Sequence, residues 1–290
     1  MDQKIIDLYD RFTHGGMNRR QFLDRLTEIA GSSAAAIALL PLLQNDYARA
    51  AIVPADDARL VSERAAYDSP KGKINGYLVR PKAKGKRPVV LIIHENRGLN
   101  PHLEDVARRF AAEGFLAYAV DLLSLVGGTP ASEDAARDLH AKMNQDDAVA
   151  ALVAGVSFLK KHPESTGKVG AVGFCFGGLM INRLAASSPE LDAGVAYYGL
   201  QVPAEQVPNI KAALLLHYAE NDDGVNAGIP AYEAALKANN KKFTMHTYAG
   251  AQHAFNNDTG AARYNEAAAK LAWSRTVAFF KEQLGSPPSG

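Results

Sequence analysis

The chain has 290 residues and one cysteine, Cys175, which stands in Gly173-Phe174-Cys175-Phe176-Gly177-Gly178 directly after the apolar run 169–173. A glycine two places before and two places after a nucleophilic residue suits a sharp strand-to-helix turn, where a side chain at either position would strike neighbouring backbone. At the start of a helix the thiolate, the reactive form of cysteine, gains from the positive end of the helix dipole. A nucleophile of this kind needs a base, and the base needs an orienting acid. The run 213–218 leads into Ala219-Glu220-Asn221-Asp222-Asp223, and the run 243–248 leads into Ala249-Gly250-Ala251-Gln252-His253. Taken singly, a buried cysteine is packing, a loop aspartate forms a turn and a loop histidine is merely exposed. The signal is that all three follow apolar runs, in the order nucleophile, acid, histidine. Asp222 is favoured as the acid over Asp223, which is nearer the turn residue Gly224, although the sequence leaves the adjacent pair open.

A second polar loop, His94-Glu95-Asn96-Arg97-Gly98-Leu99-Asn100, follows the run 89–93 and should wall the same site. The backbone amides of Asn96 and Phe176 are placed to hold a developing oxyanion. Glu95 could accept a proton or hydrogen bond from the thiol. Arg97 either pairs with an anionic substrate group or forms a surface salt bridge. His94 and Glu95 lack a second cluster at ligand spacing, so no metal is expected.

The elements that must position these residues are seven strand-like runs, at 76–79, 89–93, 116–120, 169–173, 194–198, 213–218 and 243–248. Helix-length amphipathic segments at 101–113, 146–161, 178–186, 227–238 and 261–284 alternate with them. This order predicts an α/β domain with a mostly parallel central sheet, helices on both faces, and a ligand site beyond the carboxyl ends of the strands. The basic segment 82–87 reads as a solvated hairpin turn between the first two of these strands. No repeat or extended low-complexity tract interrupts the pattern. Lys and Arg total 32 against 31 Asp and Glu, a net charge of +1 with no basic block, which argues against nucleic-acid and anionic-membrane partners. One cysteine excludes an intramolecular disulfide and any cysteine-rich metal site.

The four motifs together resemble the dienelactone hydrolase family of α/β hydrolases over about residues 70–284. The resemblance implies the α/β-hydrolase fold and hydrolysis of a small-molecule ester or lactone without a cofactor. It implies a triad of Cys175, Asp222 and His253, with Glu95 holding the resting thiol. Members that cleave dienelactone grip its carboxylate with arginines, one of them four residues after the triad histidine. Here that position is Asn257, next to Asp258, which argues against the dienelactone itself as natural substrate. The loop 124–129 is expected to shape the pocket. Competing uses of such a site are a thioesterase, a peroxide-reactive thiol enzyme, and a non-catalytic binding or sensor protein.

Residues 1–50 form a separate segment ahead of a catalytic domain at 51–290. Arg19 and Arg20, before Phe22-Leu23 and the apolar stretch 29–43, resemble a twin-arginine export leader with cleavage after Ala50 and no membrane span left after processing. The alternative is a retained helical appendage over residues 4–43, with Ile5, Ile6, Leu8, Tyr9 and Phe12 as its apolar face.

Overall fold

The computed structural model describes residues 1–13, 15–49 and 51–288. Three helices open the chain: α1 (Gln3–Thr13), α2 (Arg19–Ala30) and α3 (Ser33–Leu43). The strands are β1 (Leu60–Ser69), β2 (Gly72–Pro81), β3 (Arg87–Ile93), β4 (Leu116–Asp121), β5 (Ser165–Phe174), β6 (Ala193–Tyr197), β7 (Ala213–Asn221) and β8 (Phe243–Gln252). They form one sheet in the order β1-β2-β4-β3-β5-β6-β7-β8. The β1–β2 and β2–β4 pairings are antiparallel, and every other pairing is parallel. Between and after the strands run α4 (Pro101–Ala112), α5 (Glu133–His140), α6 (Gln145–Lys160), α7 (Phe176–Ser187), α8 (Asp223–Asn226), α9 (Ile229–Ala238) and α10 (Glu266–Leu284).

Residues Val89–Ile93 of β3 are almost wholly enclosed, which explains why a central parallel strand reads as a continuous apolar run rather than an alternation. One face of the sheet packs on α6, α7 and α9 through residues such as Leu152, Met180 and Leu236. The other packs on α4 and α10, where Phe110, Phe115 and Phe280 meet edge to face. The expected α/β architecture is thus present, with two corrections. The segment 82–87 is no hairpin turn: β4 lies between β2 and β3, so this segment begins a crossover. The hairpin is β1–β2, turning at Gly72 with φ 127°. Strand β1 escaped the sequence pattern because it is an edge, with Ser62, Glu63, Arg64 and Asp68 exposed and Tyr67 its one buried side chain.

The first three helices pack as a small unit of their own around Leu8, Phe12, Phe22, Leu26 and Leu43. Phe12 and Phe22 stack with ring centroids 4.4 Å apart. All five residues of the expected apolar face of α1 are buried. The Arg19-Arg20 pair falls on the first turn of α2, which opens with a capping box. Asn18 Oδ1 accepts from the Gln21 amide at 2.9 Å and Gln21 Oε1 accepts from the Asn18 amide at 3.0 Å. Among the described residues no single helix is long and apolar enough to cross a membrane, and α2 and α3 meet at 112°. The Ala50 junction lies outside the described residues.

Leu26 is fully enclosed in this unit. Leu26→Ala should destabilise it by about 2–5 kcal/mol, and limited proteolysis of the full chain should then cut faster within residues 44–59. An unchanged cleavage rate would show that the packing of α2 does not hold the segment in place.

Candidate active site

Strand β5 ends at Phe174 and α7 starts at Phe176, so Cys175 alone makes the turn, with φ 55° and ψ −113°. Positive φ on a residue with a Cβ costs about 1–3 kcal/mol and persists only where its surroundings dictate it. Here the glycines dictate it. A Cβ on Gly173 would lie 2.1 Å from the carbonyl oxygen of Gly177, and one on Gly177 would lie 2.4 Å from that of Ile93. The Cys175 amide donates to the Tyr197 carbonyl at 3.0 Å, and the Cys175 carbonyl accepts from Leu179 at 3.1 Å. The Phe176 N–H is in the first turn of α7, where no earlier helical carbonyl exists to receive it.

Asp222 stands at the end of β7, and His253 just past the end of β8. His253 Nδ1 and Asp222 Oδ2 are 2.6 Å apart. The hydrogen bond falls on Asp222, while Asp223 starts the short helix α8. On its other side His253 faces Cys175 and interacts with it electrostatically. Burial alone would lower the pKa of His253, but the neighbouring Cys175, the Asp222 hydrogen bond and the charge of Asp10 outweigh it. The result lies well above the ordinary histidine value. Tyr198 covers the imidazole with ring centroids 5.0 Å apart.

The histidine loop is fixed from behind. Asp258 turns away from the pocket to His102 Nδ1 at 2.9 Å and to Arg109 Nη2 at 2.6 Å. Those two partners, working against burial, hold its carboxyl below the usual range. Asn257 Oδ1 accepts from the Thr259 amide at 3.1 Å, and Asn257 Nδ2 donates to Glu95 Oε2 at 3.1 Å. Glu95 is buried beside Cys175, His253 and Arg263, all lining one small void. His94 Nε2 accepts from the Leu122 amide at 3.1 Å, which puts the ring proton on Nδ1, facing the Glu95 carbonyl at 2.5 Å. Burial lowers the pKa of His94, in keeping with a neutral brace between the ends of β3 and β4.

Cys175, Phe176, Tyr198, Asp222 and His253 open onto a cavity of about 640 Å³, with Leu179, Leu200 and Val225 supplying apolar wall and Arg137 and His140 closing one side. Asp10, Arg11 and Thr13 of α1 line it as well. A larger groove of about 840 Å³, near Lys82, Arg87 and Lys281, lies away from this chemistry. Among the described residues no His, Cys, Asp and Glu cluster fits a metal ion.

The profile of the dienelactone hydrolase family matches residues 74–284. The chain belongs to this family. A relative from Aquifex pyrophilus, named "Protein usf", is 38% identical over 223 residues, covering 73% of this chain and 94% of its own. A Salmonella typhi protein named "Putative carboxymethylenebutenolidase" is 32% identical over 224 residues, covering 72% of this chain and 83% of its own. Among solved structures, "Putative Dienelactone Hydrolase" from Klebsiella pneumoniae superposes with a TM-score of 0.70 at 28% identity, covering 77% of this chain and 99% of that one. A separate profile, described as YqhI-like, matches residues 1–31, the span of α1 and α2.

Within this dienelactone hydrolase-family site, three sequence expectations change. Arg97 is neither a surface salt bridge nor open to substrate: it is buried, donating to the Tyr9 hydroxyl at 3.1 Å and lying 3.3 Å from Glu133 Oε2. Asn257 is enclosed and holds Glu95 instead of facing the cavity. The loop 124–129 braces the Gly98 turn through Thr129, whose hydroxyl accepts from the Leu99 amide at 2.9 Å, and does not line the cavity. Sequence reasoning missed Arg263, Tyr198 and Asp10. Arg263 lay inside a segment read as helix from 261. The cap residue Asn265, whose side chain accepts from the Ala268 amide, marks where α10 really begins.

A raised imidazole pKa means that the cation survives as pH rises past ~6.5, and its charge keeps the neighbouring thiolate favourable below the free-thiol value of ~8.5. Alkylation of Cys175 by iodoacetamide should therefore vary less than about threefold from about pH 6 to about pH 8, where a free thiol would lose about tenfold per unit. Asp222→Asn should restore the steep fall. A steep profile in the unaltered protein would contradict the ion pair.

Proposed function

We propose that this protein hydrolyses carboxylic esters or lactones by acyl transfer through Cys175, with no cofactor. The observation that carries this reading is the position of His253, hydrogen-bonded to Asp222 and lining the same largely apolar cavity as Cys175. The Cys175 thiolate attacks the substrate carbonyl carbon, forming the carbon–sulfur bond. The carbonyl electrons move to oxygen, where the amides of Phe176 and Asn96 receive them. As the tetrahedral centre collapses, the carbon–oxygen bond to the alcohol breaks and the His253 imidazolium protonates the leaving oxygen. Neutral His253 then takes a proton from water, whose oxygen attacks the thioester and expels the thiolate, restoring the ion pair. Asp222 fixes the imidazole tautomer and stabilises its cation. Glu95 lies beside Cys175 and His253, held by Asn257.

No cation stands four residues after His253, and the buried arginines near Glu95 are engaged with other residues, Arg97 with Tyr9 and Arg263 with Asp10. Neutral short esters and lactones are accordingly the expected class, ahead of a dienelactone carboxylate.

The test is turnover of a chromogenic short-chain ester, a simple lactone, a dienelactone and a thioester by the full chain. Cys175→Ala should lower turnover by about 10⁴–10⁶-fold, the loss seen when a triad acts as a unit. Asp222→Asn should cost several orders of magnitude, and Asp223→Asn less than about tenfold, as a group outside the triad. A loss under tenfold in Cys175→Ala would sink the mechanism. A clear preference for the thioester would move the assignment to a thioesterase.

A further inference from the structure

In the catalytic cavity, one wall comes from outside the hydrolase domain. Helix α1 brings Asp10, Arg11 and Thr13 to the rim, facing Cys175 and His253. Four contacts fasten it there. Asn96 Nδ2 donates to the Thr13 carbonyl at 2.5 Å, and Arg97 Nη2 donates to the Tyr9 hydroxyl at 3.1 Å. Arg263, itself almost fully buried, donates to Asp10 Oδ1 at 3.0 Å, with its guanidinium over the Tyr9 ring at 5.5 Å. The side-chain amides of Gln3 and Gln252, the latter next to His253, exchange hydrogen bonds at 2.9 and 2.7 Å. These contacts fall on the loop carrying Glu95 and on the loop carrying His253, so the helix grips both catalytic loops. A surface appendage would not need buried arginines turned towards it, because a buried guanidinium without partners is costly.

We infer that the N-terminal helices are a resident wall of the active site, that Asp10–Arg263 is the latch holding this wall closed, and that residues 10 and 11 limit the size of substrate that reaches Cys175. The chain is then used with residues 1–50 in place, and an N-terminal leader removed after Ala50 would take away the Thr13 carbonyl from Asn96 and Asp10 from Arg263, and leave Arg97 only Glu133. The inference deepens the hydrolase reading by naming what sets its selectivity: compact acyl groups pass the rim and bulky ones are excluded by α1. Arg11 is exposed at that rim and carries no ion pair among the described residues, so its side chain can be exchanged without breaking the docking.

The test reads access to the thiol and not turnover, so failure of ester hydrolysis would leave it intact. Cys175 is the sole cysteine, and its labelling can be followed on the intact full chain by mass. The ratio of rates for a fluorescein-sized iodoacetamide and for iodoacetamide itself is compared with the same ratio for a free thiol. The unaltered protein should disfavour the bulky reagent. Asp10→Arg should raise the ratio about fivefold or more, the population change expected when a small stabilising interaction is lost. Combining Asp10→Arg with Arg263→Asp should bring it back. Arg11→Trp, which leaves every docking contact in place, should lower it. Ratios within twofold of the unaltered protein in both Asp10→Arg and Arg11→Trp would overturn the inference. So would a mature protein, purified from its own cells, whose mass shows that it begins after Ala50.

Discussion

The structure depends on backbone meeting backbone where β5 turns into α7. With no side chain at Gly173 or Gly177, the first turn of α7 settles against the end of β3, and the one residue left between strand and helix is forced to positive φ. That contact raises Cys175 clear of the sheet and aims the start of α7 at the same point. The surrounding layers exist to make it rigid: β3 and β6 flank β5 in parallel, and α7 packs over both. Stability invested across the core is spent locally as strain at one residue, the usual place for strain in an enzyme.

Charge is arranged on the same logic. An isolated imidazolium would be unstable at the burial of His253, and Cys175, Asp222 and Asp10 beside it reverse the balance. Its loop is in turn anchored by ionic contacts pointing the other way, from Asp258 to α4. Asp105 ties that helix to the backbone amide of Val53 at 2.9 Å and to Arg109. The result is a chain of buried groups running from His253 through Asp258 and Arg109 to Asp105. The site keeps its geometry because no member can move without leaving another unpaired.

The chemistry was legible in the sequence wherever it coincided with a strand end. Cys175, Asp222, His253 and Glu95 all follow apolar runs that became β5, β7, β8 and β3, and in a parallel sheet the carboxyl ends of such runs converge. What the sequence hid was pairing at long range. Arg97 reads as a substrate-pairing cation or a surface salt bridge because nothing near it in the chain discloses that Tyr9 and Glu133 enclose it. Asn257 stands where a substrate-facing cation was expected, yet a two-residue Asx contact to Thr259 and a bond to Glu95 fill its capacity. Strand β1 was invisible for the opposite reason: an exposed edge has no need of an apolar pattern. Asn18-Arg19-Arg20-Gln21 satisfies a helix cap and a leader motif with the same four letters, and in the structure it forms the cap of α2, which packs against α1 and α3.

The docking of α1 also has a temporal side. Its residues leave the ribosome first, but the groups that receive them arrive much later: Asn96 is 83 positions downstream of Thr13, and Arg263 is 253 positions downstream of Asp10. Until nearly the whole chain has been made, the apolar face of α1 has only α2 and α3 to cover it. Closing so long a loop is entropically slow and comes late in folding. A nascent chain therefore holds the cavity without the wall that α1 contributes to it until its two ends have met.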